Sequence, residues 1–221
     1  MANDRTFQPK LQILPAAQRA LWPKLSDAPR EFTLYGGTAI ALQLGHRESI
    51  DFDFFGSAPF DPDQLARSLP ILADAEIVQR DINTLMARVN CSVLVSFFAT
   101  PQLGRVEPPL VAVDNGVRVA SLIDLAGMKA DVVQKRAEAK DYIDMDALLS
   151  AGIALPYALA AARIIQGQLF NPQITLKALS YFAEGNLGVL SPDIKRRLQE
   201  AVRDVDLDRL PSLSADKAAG E

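Results

Sequence analysis

Polar and apolar positions alternate most sharply at residues 50–55, IDFDFF, and a period of two marks a strand. On such a strand Asp51 and Asp53 project to one face, while Ile50, Phe52 and Phe54 alternate toward the other. Just upstream, 31–37 (EFTLYGG) predicts a strand running into a Gly-Gly turn. Residues 38–44 (TAIALQL) then predict a short, mostly apolar helix buried against the sheet, with Gly45 as its C-terminal stop. Residues 9–25 predict a short amphipathic helix, with Leu21, Trp22 and Leu25 packing. Asp61-Pro62-Asp63 caps a helix to about Leu72. Segments near 75–89 and 91–98 read as strands, and 110–119 as a hairpin turning at Asp114-Asn115-Gly116.

From Ser121 the period changes to that of a helix reaching at least Arg136, with Leu122, Leu125, Ala126, Val132 and Val133 on one stripe. Lys129 falls in the middle of that stripe. Its ammonium either snorkels out at a sheet edge or points at the strand carboxylates or a triphosphate. Asp141 and Asp144 share one side of the next helix at i, i+3, and spacing alone makes them surface residues. Three more helices follow within 156–205, with Leu176, Leu179, Tyr181 and Phe182 as a packing face. The fold class predicted is α/β. A small mixed sheet with flanking helices occupies 1–120, a helical region 121–210, and a disordered tail 211–221.

Composition narrows the function classes. With 49% hydrophobic and 23% charged residues, the 221-residue chain has the make-up of a soluble globular protein with a sizeable core. A net charge of −4 gives no overall nucleic-acid footprint. No apolar run is long enough to span a membrane, and the N-terminal residues lack a signal-peptide pattern. Cys91 is the single cysteine, which fits a reducing cytoplasm, and its apolar surroundings predict a small buried filler. His46 is the single histidine, so multi-histidine metal sites are excluded and a Ser-His-Asp triad is disfavoured.

The chemistry concentrates at 34–55. Two carboxylates on one strand face repel each other unless a cation lies between them, and Mg²⁺ is typically held by one or two carboxylates plus substrate phosphates. Gly36 and Gly37 let backbone approach a ligand, and the N–H groups near Thr38 at the helix start suit a phosphate. Arg47 is either a surface residue, a clamp on an aspartate, or a cation for a nucleotide phosphate. Ser49 can serve the loop or a ligand.

The ordered combination, GG, a short helix, then D-x-D, resembles the nucleotidyltransferase superfamily that includes DNA polymerase beta. The longer string GGTAIALQLGHRESIDFDFF is similar to the AbiEii/AbiGii-type nucleotidyltransferase toxins, as, more loosely, is DLAGMKADVVQKRAEAKDYIDMDALL. The resemblance implies Mg²⁺-dependent transfer from an NTP to tRNA, another RNA or a protein, and a cognate antitoxin as partner. It implies catalytic roles for Asp51, Asp53, Lys129 and Asp141, with Asp144 as the alternative to Asp141. Metal falls to Asp51 and Asp53, and nucleotide to Gly36, Gly37, Thr38, Arg47 and Lys129. Where the superfamily places a third carboxylate on a neighbouring strand, this chain has Ser96, with Asp81 or Asp141 as possible substitutes. A catalytically silent fold that binds a nucleotide or protein partner, and an antibiotic-modifying nucleotidyltransferase, are the alternative readings.

Overall fold

The computed structural model describes residues 5–216, so the extreme N-terminus and the tail prediction for 217–221 lie outside the described residues. Contacts divide the chain into two compact units, 1–103 with 109–120, and 104–108 with 121–221.

The first unit is a mixed sheet with flanking helices. Its strands are β1 (Thr6–Phe7), β2 (Thr33–Tyr35), β3 (Phe52–Gly56), β4 (Glu76–Asp81), β5 (Thr84–Val89), β6 (Val93–Ala99), β7 (Leu110–Ala112) and β8 (Arg118–Val119). They lie in the order β1-β7-β8-β2-β3-β6-β5-β4. β3 runs antiparallel to β2 and parallel to β6. The helices are α1 (Ala16–Leu21), α2 (Gly36–Leu44) and α3 (Pro62–Ser68). One face of the sheet is the core: Leu34, Phe52, Phe54, Leu85, Val95 and Phe97 are buried, Phe54 stacks on Phe97 at 5.1 Å, and Trp22 stacks on Phe52 at 6.2 Å. The opposite face carries Asp53, Phe55, Ser96 and Phe98, so the alternation seen in the sequence sorts core from site.

Local chemistry revises several expectations. The 9–25 helix is broken: α1 spans six residues, and Pro23 opens a separate 3-10 turn over Trp22–Asp27, because proline withholds a backbone donor. Leu21, Trp22 and Leu25 are buried nonetheless. Segment 75–89 is two strands, parted at Ile82-Asn83, where Asn83 takes φ 59°. Cys91 is exposed, because Asn90 and Cys91 adopt φ 50° and 57° in the turn joining β5 to β6. Ile50 precedes β3 and is 55% exposed, outside the core row. α2 ends at Gly45 as expected, and Asp61 caps α3 by accepting from the N–H groups of Asp63 and Gln64.

The second unit is helical: α4 (Leu122–Lys135), α5 (Ala139–Ser150), α6 (Leu155–Gln166), α7 (Pro172–Ser180) and α8 (Pro192–Arg203). α4 is the central helix, packed on α5, α6 and α7. Ser121 caps it by accepting from Asp124 N–H. Residues 104–108 form a strap on this unit. Gly104 N–H donates to Ile165 O at 3.1 Å, and a Cβ on Gly104 would meet Ile164 O at 2.3 Å, so only glycine passes there. Arg105 pairs with Asp216 at 2.7 Å. Tyr181 lies past the end of α7 and is 53% exposed, so it leaves the packing face on which Leu179 is buried. Among the described residues no single helix is long and apolar enough to cross a membrane.

Candidate active site

In the sheet unit the site grows from the β2–α2 junction. Gly36 opens α2 with φ +76°, a conformation costly for any residue with a Cβ. An ideal Cβ there would lie 3.0 Å from Asp53 Oδ2, so the missing side chain is what lets the turn and the carboxylate share this space. Asp53 pairs across the sheet with Tyr35 of β2 on one side and Ser96 of β6 on the other. Asp51 lies one residue before β3, and its backbone carbonyl accepts from Thr38 Oγ1. Thr38 Oγ1 also lies 2.7 Å from Ser49 Oγ, and both residues are buried. The start of α2 is thus tied to the aspartate segment by a hydroxyl pair and by the Gly36–Asp53 approach. Both aspartates are half-buried. Arg47 donates to Glu48 O at 2.8 Å.

The Asp53 carboxylate beside the glycine turn, with Asp51 two residues before it as the second hard-oxygen donor, suits an ion such as Mg²⁺ that completes its shell from water and phosphate. Among the described residues no group of three or more His, Cys, Asp or Glu side chains is gathered to hold a metal ion. Ser96 stands beside Asp53, is 0% exposed, and its Oγ has no hydrogen-bond partner. Asp81 cannot replace a carboxylate there. It is exposed at the far end of β4, with β5 and β6 between it and β3.

In the helical unit Lys129 is buried, as its place in the apolar stripe requires, and it neither snorkels nor waits for an anion. Its Nζ lies 2.6 Å from Asp141 Oδ1 and 2.7 Å from Asp144 Oδ2. Both aspartates are 0% exposed, which corrects the surface placement that spacing alone gave them. Lys129 therefore engages the aspartate and its alternative together. Arg136, just past the end of α4, adds Nε to Asp141 Oδ2 at 2.8 Å and a second nitrogen to Oδ1 at 3.1 Å. Burial pushes the Asp141 carboxyl up, but Arg136 and Lys129 more than offset this and hold it below the usual carboxylate range. With both oxygens on cations, Asp141 in this arrangement orients Lys129 and Arg136; it is not set up as a base. Arg136 went unassigned in the sequence, where it reads as an ordinary basic residue at a helix end.

A second buried carboxylate, Asp124, lies near the start of α4. It accepts from Val106 N–H at 2.7 Å, Glu107 N–H at 3.1 Å and the Ser121 hydroxyl. Burial raises its pKa above the ordinary value despite these bonds.

Comparison with known proteins gives the family and the fold. The family model described as nucleotidyl transferase AbiEii toxin, type IV TA system, matches residues 19–218. The uncharacterized protein aq_aa25 of Aquifex aeolicus (strain VF5) is 33% identical over 117 residues, 52% of this chain and 56% of that protein, so the match spans about half the relative's length. MenT4, a nucleotidyltransferase toxin from Mycobacterium tuberculosis H37Rv, superposes with TM-score 0.58 at 17% identity, over 87% of this chain and 83% of its own. The antibiotic-resistance factor ANT(2'')-Ia superposes with TM-score 0.50 at 14% identity, over 66% of this chain and 89% of its own. The two structures share the fold, and the family match, which covers most of the sequence, gives the conclusion: the chain belongs to the AbiEii nucleotidyltransferase toxin family.

Proposed function

We propose that this protein is the toxin of a toxin–antitoxin pair and transfers a nucleotide from an NTP to an acceptor, RNA such as tRNA or a protein, in the cytoplasm. The observation that carries the reading is the Gly36–Asp53 approach, which sets a carboxylate against the N-terminal turn of a nine-residue helix. Backbone N–H groups there favour phosphate, and the neighbouring aspartates favour the divalent cation that accompanies a triphosphate. Asp51 and Asp53 would hold Mg²⁺. When bound, that ion neutralises charge on the triphosphate and the departing pyrophosphate. Gly36, Gly37 and the N–H groups near Thr38 position phosphate, and Arg47 supplies a further cation. The family resemblance further gives Lys129 and Asp141 a role in the transfer; Lys129 is tied to Asp141 and Asp144, and Arg136, 45% exposed at its side chain, completes a charge-balanced cluster. Positioning and electrostatics of this kind supply most of the acceleration in phosphoryl chemistry.

A second reading has one observation in its favour. Ser96 brings no charge to the place beside Asp53, which suits a fold that binds nucleotide or a protein partner without turnover. Incubation with each of the four α-³²P-NTPs, Mg²⁺ and total tRNA, beside Asp53→Asn, separates the two. Label on RNA or on the protein itself that is lost in Asp53→Asn establishes the transferase and names the nucleotide. Nucleotide binding without label leaves the silent reading, and neither binding nor label ends both.

A further inference from the structure

Ser96 has its Cα in register with Asp53 on β3 and with Met86 on β5. Register partners on adjacent strands share a face and lie about 4.8 Å apart, so the Ser96 hydroxyl and the Asp53 carboxylate are lateral neighbours. Ser96 is 0% exposed and its Oγ has no partner. A hydroxyl in that state has given up its bonds to water and gained none from protein. Thr38 is bonded with Ser49, Ser121 to Asp124, and Thr175 to Ala130 O, whereas among the described residues Ser96 shares its unbonded state with the Thr100 hydroxyl, which lies just past the end of β6. If position 96 needed only a small filler, alanine would serve at lower cost. The hydroxyl also faces the same side as the one charged residue of β3.

We propose that Ser96 is a positioning residue for Asp53. With a divalent cation held at Asp51 and Asp53, the Ser96 hydroxyl would donate to the Asp53 carboxylate and fix its rotation. This rests on the metal role given above to Asp51 and Asp53. Metal-ligating carboxylates are commonly held by an outer hydrogen bond, and losing such a partner costs roughly 10–100-fold in metal affinity.

The experiment is a Mn²⁺ titration of the full chain, following the free-ion EPR signal, with wild type, Ser96→Ala and Asp53→Asn, and thermal melts of all three without metal. The expected result is Mn²⁺ binding weakened about 10–100-fold in Ser96→Ala, with a melting temperature at or above wild type because an unbonded buried hydroxyl has been removed. Asp53→Asn should bind more weakly still. Wild-type Mn²⁺ affinity in Ser96→Ala overturns this proposal alone. A marked drop in its metal-free melting temperature also overturns it, since the hydroxyl would then be structural. A wild-type protein that binds no Mn²⁺ removes the metal role of the aspartates, and this proposal with it.

Discussion

α4 meets two equally buried aspartates, its own Asp124 and Asp141 of α5, and the surroundings treat them in opposite ways. Near the N-terminal end of α4, Asp124 is fully buried and hydrogen-bonded by neutral donors, two backbone N–H groups and a serine hydroxyl, with the charge of Arg105 as the smallest influence on it. Asp141 on α5 is just as buried but meets Lys129 from the middle of α4 and Arg136 from just past its end. Desolvation prevails at the first and lifts the pKa; cations prevail at the second and lower it. Neutral donors fasten chain to chain, as the strap is fastened to α4. Paired charges are a different investment. They build a local field, and a buried cluster of ionised groups is a reason to look for chemistry.

The largest expected effect comes from removing the shared cation. Lys129→Met leaves two buried carboxylates short of an ammonium and should cost about 3–5 kcal/mol in urea unfolding; a loss under 1 kcal/mol would mean that the cluster is not a true buried pair. Asp124→Asn keeps one acceptor oxygen but turns an amide donor toward the strap, and should cost about 1–3 kcal/mol, with faster hydrogen exchange at Val106 and Glu107. Next comes pH. The Asp141 carboxyl is held below its reference value of 3.8, so its contribution to stability is fully present above 3.8 and is lost as pH falls through its folded-state pKa. Asp124 titrates above 3.8, so its protonated form favours folding, and that contribution is lost as pH rises through its folded-state pKa. Wild type minus Asp141→Asn and wild type minus Asp124→Asn, plotted as unfolding free energy against acid pH, should slope in opposite directions. Equal slopes would break the comparison. The smallest effect belongs to the neutral contact of α7 with α4, where Thr175 Oγ1 donates to Ala130 O at 2.7 Å and accepts from Gln134. Thr175→Val should cost about 1 kcal/mol with no change in pH dependence.

Features carried by short-range periodicity were legible in the sequence. The strand–turn–helix–strand order at 33–56, the break in polarity at Lys129, and the proline- and serine-led helices of the second half all follow from spacing. What spacing could not carry were contacts between distant segments. Asp124 reads as an ordinary acid in a first helical turn, and only Val106 and Glu107, brought in by the strap, reveal its burial. Asp141 and Asp144 look like a polar helix side until Lys129 of α4 closes on them. Cys91 failed for a more local reason: its strand starts two residues later, and Asn90-Cys91 is spent on the turn. The Asp51–Asp53 spacing was readable, whereas the closeness of Gly36 to Asp53 depends on the antiparallel pairing of β2 with β3.

The strap bears on how the protein is made. Because residues 104–108 belong to the helical unit while β7 and β8 return to the sheet, no single cut separates the two units into continuous pieces. β1, near the start of the chain, pairs with β7 and must wait during synthesis for a strand translated long afterwards. The strap in turn docks on α4 and α6, which emerge later still. All eight strands precede residue 120, so the sheet can close on the nascent chain while the strap still lacks the helices that seat it.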